Sequence, residues 1–407
     1  MKKCRFISAF FITIKSFSQP DKKNSTNKKS EENLSVAEQN LSIADCRKIA
    51  YDFVMSEDAK EKSIRYFEYI LKQEKKLETK DIGSLAKAYY FDNQFTKAIN
   101  FQTQYIDLVA NGKLKREAKK QLELYIRVKK YATNSKNIQL INLGSKINSK
   151  YAETNPAVSI KENILVYSSK RNENYNIYIS EKKPNKTSWK KSKLAGGTVN
   201  TSDDEFVAGL SDDGKFLLVH YNENSGFEDI IMNRKVKGGF READNFGVNI
   251  NSVYKEEGAC FSKSGDTLFF ASNRIGGFGG LDLYYSLKIS DESWGEPVNM
   301  GPDINTLFDE NYPSFNNDGS KLYFASKGHN SIGGYDIFYS KKNNTGEKWI
   351  TPQSIGWPIN NAYDNKSIWF TNNPRYAYTS SNMKQGMGSY DIYKVVFLDK
   401  EADFFIC

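Results

Sequence analysis

The sequence predicts a two-domain protein of the α + all-β class, an N-terminal helical array followed by a five-bladed β-propeller. Residues 265–286 (GDTLFFASNRIGGFGGLDLYYS) recur 54 positions later as residues 319–340 (GSKLYFASKGHNSIGGYDIFYS). Each copy alternates apolar and small residues, breaks at glycines and resumes as an aromatic strand, which is typical of a β-hairpin. A repeat of this length with several short strands indicates a propeller blade. Before residue 136 the apolar spacing is instead helical.

Two markers recur five times through the β part of the chain. The first is the pattern G-x-x-[IV]-N, which begins at Gly144, Gly196, Gly247, Gly301 and Gly356. The second is an Asp, or once an Asn, before an apolar pair, and its members are Asn176, Asp229, Asp282, Asp336 and Asp391. Successive members of each series are 51 to 55 residues apart. This agreement predicts five blades. Six blades would require a further blade whose sequence markers are too weak to recognise.

The order of the two markers predicts how the ring closes. The chain enters on the Gly marker at 144 and leaves just after the Asp marker at 391, so the last blade lacks its own outermost strand. The segment 138–144 is then a spare strand. Docking it onto the last blade removes two exposed sheet edges at once. We therefore expect residues 136–400 to form a ring that its first strand closes.

The N-terminus has the pattern of a secretory signal. Three basic residues within the first five precede a short apolar core at residues 6–14, and Ser16 and Ser18 supply the small residues of a cleavage site. The apolar core is too short to span a bilayer, and no other segment approaches 18 apolar residues. We expect a signal peptide at 1–18, a disordered linker at 19–40 and an exported chain without a transmembrane segment.

The apolar spacing over residues 41–135 predicts stacked helices. Ser42 is placed to cap the first of them. The clearest pair spans 81–91 and 95–109, where large and small residues stand at the packing positions of a tetratricopeptide repeat: Leu85, Ala86, Tyr89, Phe95 and Ala98. A further helix spans 114–131. We expect about two degenerate repeats and a capping helix, with the propeller covering one end of the stack.

The positive charge of the chain is spread out except in its last predicted helix. The 58 Lys and Arg exceed the 49 Asp and Glu by nine, but no nucleic-acid motif accompanies this excess, so we expect no nucleic-acid partner. Residues 111–130 hold eight basic residues against two Glu. This stretch is either an anion-binding face or the solvated outer face of a terminal helix. Its candidate binding residues are Lys113, Lys119, Lys120 and Arg127.

Sequence motifs of catalysis are missing. His220 falls at the strand position that Ala271 and Ala325 hold in other blades, which indicates a packing substitution, and His329 lies in a loop without a Cys, Asp or Glu nearby in sequence. The chain has no G-x-S-x-G elbow and no H-E-x-x-H pattern. The cysteines are too scattered for a disulfide framework or a metal site. We expect no catalytic residue, cofactor or metal, although a triad assembled from distant residues stays open.

Acidic residues recur eight to ten positions after each Gly marker. They are Glu153, Asp204, Glu205, Glu256, Glu257, Asp309, Glu310 and Asp364. One interpretation is a ring of carboxylates that holds Ca²⁺ or a cationic ligand. The other is structural, each acid capping a loop and meeting backbone amides or an arginine of the next blade, and Arg171 and Arg274 recur just after the second strand. Because the acids recur with the fold, the sequence favours the structural interpretation.

The blade pattern S-x-x-G-x-x-L-[FY]-F-A-S-[NK], followed by G-G-x-D-[IL]-[FY]-Y-S, resembles the TolB-type, WD40-like propeller repeat. It stands at 262–273 with 279–286, and again at 316–327 with 333–340, where Asn replaces the first Ser. Together with the signal peptide and the tetratricopeptide-like helices, it resembles the PorE-like envelope proteins of the Bacteroidetes secretion and gliding machinery over roughly residues 40–400. Their OmpA-like domain is not found in this sequence, so the resemblance does not carry peptidoglycan anchoring.

This resemblance implies a periplasmic or outer-membrane-associated protein whose partners are other envelope proteins. We expect a non-enzymatic protein–protein interaction scaffold that binds through its helical groove and its propeller loops. Arg274 and Phe278 in the third blade are candidate contacts, either exposed at a loop tip or buried between blades. The alternative is a hydrolase or carbohydrate-binding protein with a site in the central channel, which a His–acid or carboxylate pair there would favour.

Overall fold

The structure is a computed structural model that describes residues 34–35, 38–56, 59–183, 186–222, 228–290, 293–346 and 348–399. The expected signal peptide and most of the expected linker lie outside these residues. Within the described ranges a helical region precedes five mainly antiparallel sheets that form the blades of a propeller. No helix in these ranges combines the length and the apolar character that a membrane crossing requires.

Five α-helices form the N-terminal region in the part of the chain that the structure describes. They are α1 (Ile43–Met55), α2 (Ser63–Glu74), α3 (Thr79–Phe91), α4 (Phe95–Leu108) and α5 (Lys113–Thr133), with short 3₁₀ turns at Glu38–Asn40 and Lys60–Lys62. The Ser42 hydroxyl accepts the backbone N–H of Asp45 at 3.1 Å, so the predicted cap of α1 is confirmed. The last three predicted helices are confirmed to within two residues at each end. Their tetratricopeptide-like character stays a prediction.

Each blade runs from an inner strand beside the central channel to an outer strand at the rim. Blade one consists of β2 (Glu153–Val158), β3 (Ile164–Ser169), β4 (Asn176–Glu181) and β5 (Lys193–Leu194). Blade two consists of β7 (Asp204–Leu210), β8 (Phe216–Asn222), β9 (Ile230–Val236) and β10 (Gly239–Asn245), with β6 (Gly196–Gly197) parallel to β10. Blade three consists of β11 (Glu256–Phe261), β12 (Thr267–Ser272) and β13 (Asp282–Ser290), with β14 (Ser293–Trp294) and β15 (Val298–Asn299) both paired to β13. Blade four consists of β16 (Glu310–Phe315), β17 (Lys321–Ser326), β18 (Asp336–Lys341) and β19 (Gln353–Ser354), and blade five of β20 (Ile368–Phe370), β21 (Tyr376–Ser381) and β22 (Asp391–Phe397).

The first strand of the chain completes the last blade. Strand β1 (Ile138–Asn142) pairs antiparallel with β22, from Ile138 opposite Phe397 to Asn142 opposite Tyr393. The predicted five blades and the predicted closure are both confirmed. Pairing the two chain ends of the ring satisfies backbone groups that would otherwise form two open sheet edges.

The second strand of each blade is apolar on both faces because it is packed between two neighbouring blades. In β12, Leu268 and Phe270 join one apolar cluster while Phe269 and Ala271 join another. A strand with one solvated face would alternate with polar residues instead. The near-continuous apolar runs that recur in the sequence are therefore explained by burial on both sides of each blade.

The helical region rests on the propeller at blades four and five. The Tyr90 hydroxyl donates to the backbone carbonyl of Ile332, and the rings of Phe91 and Tyr363 lie 4.9 Å apart. Further contacts join Phe95 to Trp357, Arg127 to Ser331 and Asp92 to Lys384. All of these propeller residues lie in loops between second and third strands or in connections between blades. Alternating strand directions place both kinds of loop on one side of the disc, called the loop face below.

Candidate functional site

The asparagine of the first marker binds the strand that follows the second marker. This contact explains why the two marker series recur at the same spacing along the chain. In each blade the side-chain oxygen accepts a backbone N–H, and the side-chain amide donates to the carbonyl of the same residue. The pairs are Asn148 with Ile392, Asn200 with Ile177, Asn251 with Ile230, Asn305 with Leu283 and Asn360 with Ile337. One side chain thus replaces one backbone pair of a sheet ladder.

The aspartate of the second marker occupies the glycine-rich loop in front of it. Asp282 accepts the backbone N–H groups of Phe278 and Gly279 at 2.6 and 3.0 Å. Asp336 and Asp391 hold the corresponding amides of their own loops. A turn of this kind presents its amides to an anion, and here the anion is a side chain of the same blade.

One buried carboxylate caps the entry into each of the first four blades. Glu153, Glu205, Glu256 and Glu310 are fully buried. Each accepts the backbone N–H and the hydroxyl of a Ser or Thr four residues earlier, namely Ser149, Thr201, Ser252 and Thr306. The structural interpretation of these four acids is therefore confirmed. In blade five, Asn365 rather than Asp364 takes this place and accepts the N–H of Asn361 at 2.8 Å.

Two of these carboxylates also bind an arginine of their own blade. Arg171 contacts Glu153 at 3.2 Å, and Arg274 contacts Glu256 at 3.0 Å. The expectation that the arginine comes from the next blade was wrong, because the residue just after the second strand folds back onto the inner strand beside it. Among the described residues neither Glu205 nor Glu310 has an ion-pair partner, and burial raises the pKa of these carboxyls to about 6 and about 7.

The two candidate contacts of blade three have different environments. The Arg274 side chain is 12% exposed and donates to the carbonyls of Asn249 and Ile250 as well as to Glu256. Its guanidinium holds the blade together and is not presented at a loop tip. Phe278 is exposed on the loop face. Of the two, only Phe278 is available to a partner.

The basic candidates of α5 also separate into two groups. Lys113, Lys119 and Lys120 are exposed, and Lys113 lies 3.8 Å from Glu117 one turn away. Arg127 is half-buried and donates to the Ser331 carbonyl of blade four at 3.2 Å. Neither an anion-binding face nor a solvated outer face describes Arg127, because this side of the helix docks on the propeller.

Both histidines are packed among aromatic rings. His329 binds the Ile304 carbonyl through Nε2 at 2.8 Å and lies beside Phe324 and Phe338. His220 stacks on Phe206 with ring centroids 5.2 Å apart. The ladder places His220 opposite Ile230, as it places Ala271 opposite Leu283, so the predicted strand position is confirmed. Burial lowers the pKa of His220 to about 4 and keeps its ring neutral.

A cavity of about 600 Å³ lies where the central channel opens on the loop face. All five blades contribute to its wall through Thr154, Phe206, Glu257, Tyr312 and Lys366, and the helical region contributes Lys60 and Phe91. Its size falls within the roughly 300–1,000 Å³ of typical ligand sites. No single motif predicts this cavity, because its lining comes from positions more than 50 residues apart.

The inner strands are irregular where they border this cavity. The ladders of β2, β7, β11 and β16 each contain a β-bulge. Asn155 and Tyr312 have φ values of +48°, which a non-glycine residue seldom adopts. Bulges re-aim side chains, and strained backbone is concentrated at binding sites. Residues at these bulges therefore line the channel mouth instead of continuing the regular alternation.

The charged groups of the cavity are compensated within the protein. Glu228 forms an ion pair with Lys255, and Asp364 lies 3.8 Å from Lys366. Glu257 accepts the side-chain amide of Asn311 at 2.6 Å, and burial raises its pKa. The described residues contain no cluster of three or more His, Cys, Asp or Glu suited to a metal ion.

A second feature of the loop face is a set of large apolar side chains exposed to solvent on and around blade three. They are Val248, Val253, Ile275, Phe278, Leu307 and Phe308, and between 44% and 86% of each is exposed. We call this set the blade-three patch. Monomeric proteins seldom expose large apolar residues in such a group unless they bind another surface.

Comparison with known proteins gives similarity to solved structures alone. No family model and no curated protein matches this chain. The chain is similar to TolB from Acinetobacter baumannii, with 16% identity and a TM-score of 0.36, and the match covers 65% of this chain and 63% of that one. It is also similar to a putative TolB from Agrobacterium tumefaciens, with 14% identity and a TM-score of 0.36, and this match covers 64% of this chain and 90% of that one. A third similar structure is the GH93 α-L-arabinofuranosidase of Fusarium graminearum in complex with arabinobiose, with 10% identity and a TM-score of 0.41. The match covers 64% of this chain and 98% of that one.

The chain spans less than two thirds of the Acinetobacter protein. At such identities and TM-scores these similarities carry no argument about function. The five-bladed fold stands on the sheet topology of the chain itself.

Proposed function

We propose that this protein is an exported, non-enzymatic scaffold that binds an acidic protein of the bacterial cell envelope. The observation that carries the proposal is the blade-three patch on the loop face. The export signal, the tetratricopeptide-like helices and a place in a secretion or gliding-type complex belong to the same proposal. They are supported by the residue patterns of the N-terminus, of α3 and α4, and of the blades.

The patch is a preformed platform because hydrogen bonds hold its three loops together. The backbone N–H of Gly280 donates to the carbonyl of Phe308 at 3.2 Å, which joins the loop of Phe278 to the loop of Leu307. Arg274 donates to the carbonyl of Asn249 at 3.0 Å, which joins the same loop to the one that carries Val248. A preorganised surface loses less conformational entropy on binding than mobile loops do.

The docked helix adds positive charge to this platform. An open groove of about 540 Å³ between α5 and the propeller is lined by Arg127, Leu307, Phe308 and Lys327. The exposed lysines of α5 belong to the same helix as Arg127. Apolar anchors beside a basic helix fit a partner whose binding segment combines apolar and acidic residues.

The test is affinity capture from envelope extract with the full-length protein and paired variants. The double substitution Ile275→Ser and Leu307→Ser removes two apolar anchors of the patch. The matched control, Leu287→Ser and Ile289→Ser, changes two other exposed apolar residues, which lie on β13 of the same blade. We expect the patch variant to lose a partner, identified by mass spectrometry, that the control retains.

Charge reversal tests the contribution of the helix. Lys119→Glu with Lys120→Glu should weaken binding of the purified partner at least tenfold at low salt and much less at high salt, because screening removes the electrostatic part. Equal capture by the patch variant and the wild type would overturn the proposal. If the protein hydrolysed a glycan and a substitution in the central channel abolished that activity, the hydrolase alternative would replace the scaffold proposal.

A further inference from the structure

We propose that the cavity at the channel mouth binds a neutral saccharide unit. This site is separate from the protein-binding surface, and it goes beyond the proposed scaffold function. The inference rests on three properties of the described lining: unpaired buried polar atoms, internally compensated charge and aromatic walls.

The first property is a pair of polar side chains without partners. His220 is 4% exposed, and neither of its ring nitrogens has a hydrogen-bond partner among the described residues. The Thr154 hydroxyl is also buried without a partner in those ranges. Leaving a buried polar group without a partner destabilises a protein, so such groups usually bind a ligand or water. A neutral imidazole has one donor and one acceptor, which suits a ligand hydroxyl because a hydroxyl can do both.

The second property is that the charged side chains of the described lining have partners within the protein, and Lys60 donates to the Ser56 carbonyl and lies over the Phe91 ring. Glu228 is neutralised by Lys255, and Asp364 lies beside Lys366. Glu257 accepts the side-chain amide of Asn311 at 2.6 Å, and burial raises its pKa. Burying an additional ionic ligand without a counter-charge would be costly. The cavity is therefore suited to a neutral, hydrogen-bonding ligand rather than to a metal ion or a phosphate.

The third property is the share of aromatic residues in the wall. The aromatic side chains are Phe91, Tyr175, Phe206, Tyr312, Tyr363 and Tyr390. A sugar ring has apolar C–H faces and a rim of hydroxyl groups. Its faces can pack on these rings while its hydroxyls reach His220 and Thr154. Aromatic walls combined with neutral polar groups match this amphipathic shape.

The helical region completes the site. Phe91 at the end of α3 packs against Tyr363, and both line the cavity. The Lys60 Nζ atom lies 4.9 Å from the centroid of the Phe91 ring, and Lys60 also lines the cavity. A bound saccharide would contact both regions and therefore should raise the thermal stability of the whole molecule.

The test uses the full-length protein with cellobiose and chitobiose as probes, measured by titration calorimetry and thermal shift. The informative variant is His220→Ala, because alanine already occupies this position in blades three and four. The fold should therefore tolerate it. We expect at least one probe to bind the wild type, and His220→Ala to weaken that binding at least tenfold. Phe278→Ala, a change in the blade-three patch, should leave it unaffected.

Several outcomes would overturn this inference. They are failure of both disaccharides to bind at millimolar concentration, binding that His220→Ala does not change, and preferential binding of a cationic probe such as spermidine. Each of these leaves the scaffold proposal intact, because the patch variants test that proposal separately. Conversely, loss of partner capture without loss of disaccharide binding would leave the saccharide site intact.

Discussion

At the residue scale, one asparagine per blade makes two hydrogen bonds that a backbone pair would otherwise make. Asn251 is nearly buried, and its side chain binds the N–H and the carbonyl of Ile230 at 3.0 and 2.9 Å. Like the peptide group itself, a side-chain amide offers a donor and an acceptor on one carbon atom at any pH near neutrality. The conformation therefore requires Asn at the fifth position of the marker.

Asn251→Asp should destabilise the protein by about 1–3 kcal/mol at neutral pH. A carboxylate keeps the acceptor for the Ile230 N–H but leaves the Ile230 carbonyl without a donor. Denaturant unfolding measures the difference. The control is Asn111→Asp, which is exposed at the start of α5 and should change the free energy of unfolding by less than about 0.5 kcal/mol. Equal effects of both substitutions would show that the two hydrogen bonds between Asn251 and Ile230 do not stabilise the fold.

Glu310 should make stability depend on pH between about 4.5 and 7. Its carboxyl has a pKa of about 7 in the folded protein, raised by burial from an ordinary value of 4.5. In this interval the folded state holds a proton that the unfolded state has released. The free energy of unfolding therefore falls as pH rises, by at most about 1.4 kcal/mol per pH unit from this group.

Glu310→Gln should flatten this dependence, measured by chemical unfolding at pH 5, 6, 7 and 8. The exposed Glu296→Gln provides the control and should leave the slope unchanged. Glu205 and Asp336, whose pKa values burial raises to about 6 and about 7, act in the same direction, so part of the slope should remain. A variant with the full wild-type slope would show that Glu310 is ionised in the folded state.

At the scale of elements, ring closure depends on one short strand. Ile138 and Leu140 of β1 pack into the apolar cluster between blades four and five, whereas Ile141 faces solvent. The strand contributes five residue pairs to β22. Two hydrogen bonds between Asn148 and Ile392 add to this strand pairing where the first and last blades meet.

Leu140→Asp should lower the free energy of unfolding by roughly 1–3 kcal/mol, since it places a charge in a partly buried apolar contact. Ile141→Asp on the opposite side of the same strand introduces the same charge and should cost less than about 1 kcal/mol. Calorimetry compares the two. Loss of a single cooperative transition in Leu140→Asp alone is the expected sign of an opened ring. Identical melting of the two variants would exclude closure by β1.

At the scale of the whole molecule, the helical region and the propeller share an apolar cluster. Tyr90 and Tyr125 stack with centroids 4.6 Å apart, and the same cluster includes Ile332 and Ala362 of the propeller. The Tyr90 hydroxyl donates to the Ile332 carbonyl inside it. We therefore expect the two regions to unfold together.

Tyr90→Phe removes this hydrogen bond, keeps the stacked ring and leaves the Ile332 carbonyl unpaired, which should cost about 1–2 kcal/mol. It should also speed proteolytic cleavage between the two regions, near residues 134–137. Tyr69→Phe, which loses a hydrogen bond to Gln39 at an exposed site within the helical region, is the matched control. Unchanged proteolysis of Tyr90→Phe would show that this contact does not couple the two regions.

The sequence alone determined the number of blades, their order, the closing strand and, to within two residues, the bounds of the last three helices. These features depend on local patterns: an apolar period, a capping serine and a marker glycine such as Gly144, Gly247 or Gly301, which all have positive φ. A local pattern is repeated whenever the backbone conformation is repeated, so it can be read without knowing which segments meet.

Tertiary structure alone decided which side chains face solvent and which share a cavity. Arg274 and Phe278 are four residues apart, yet one is built into blade three and the other is exposed, because Glu256 and two carbonyls lie within reach of the arginine only. The same holds for Arg127, which docking of α5 removes from the solvated face. The channel mouth brings His220 together with Thr154 and Glu257 from other blades. Closing the ring creates that proximity, and periodicity along the chain carries no information about it.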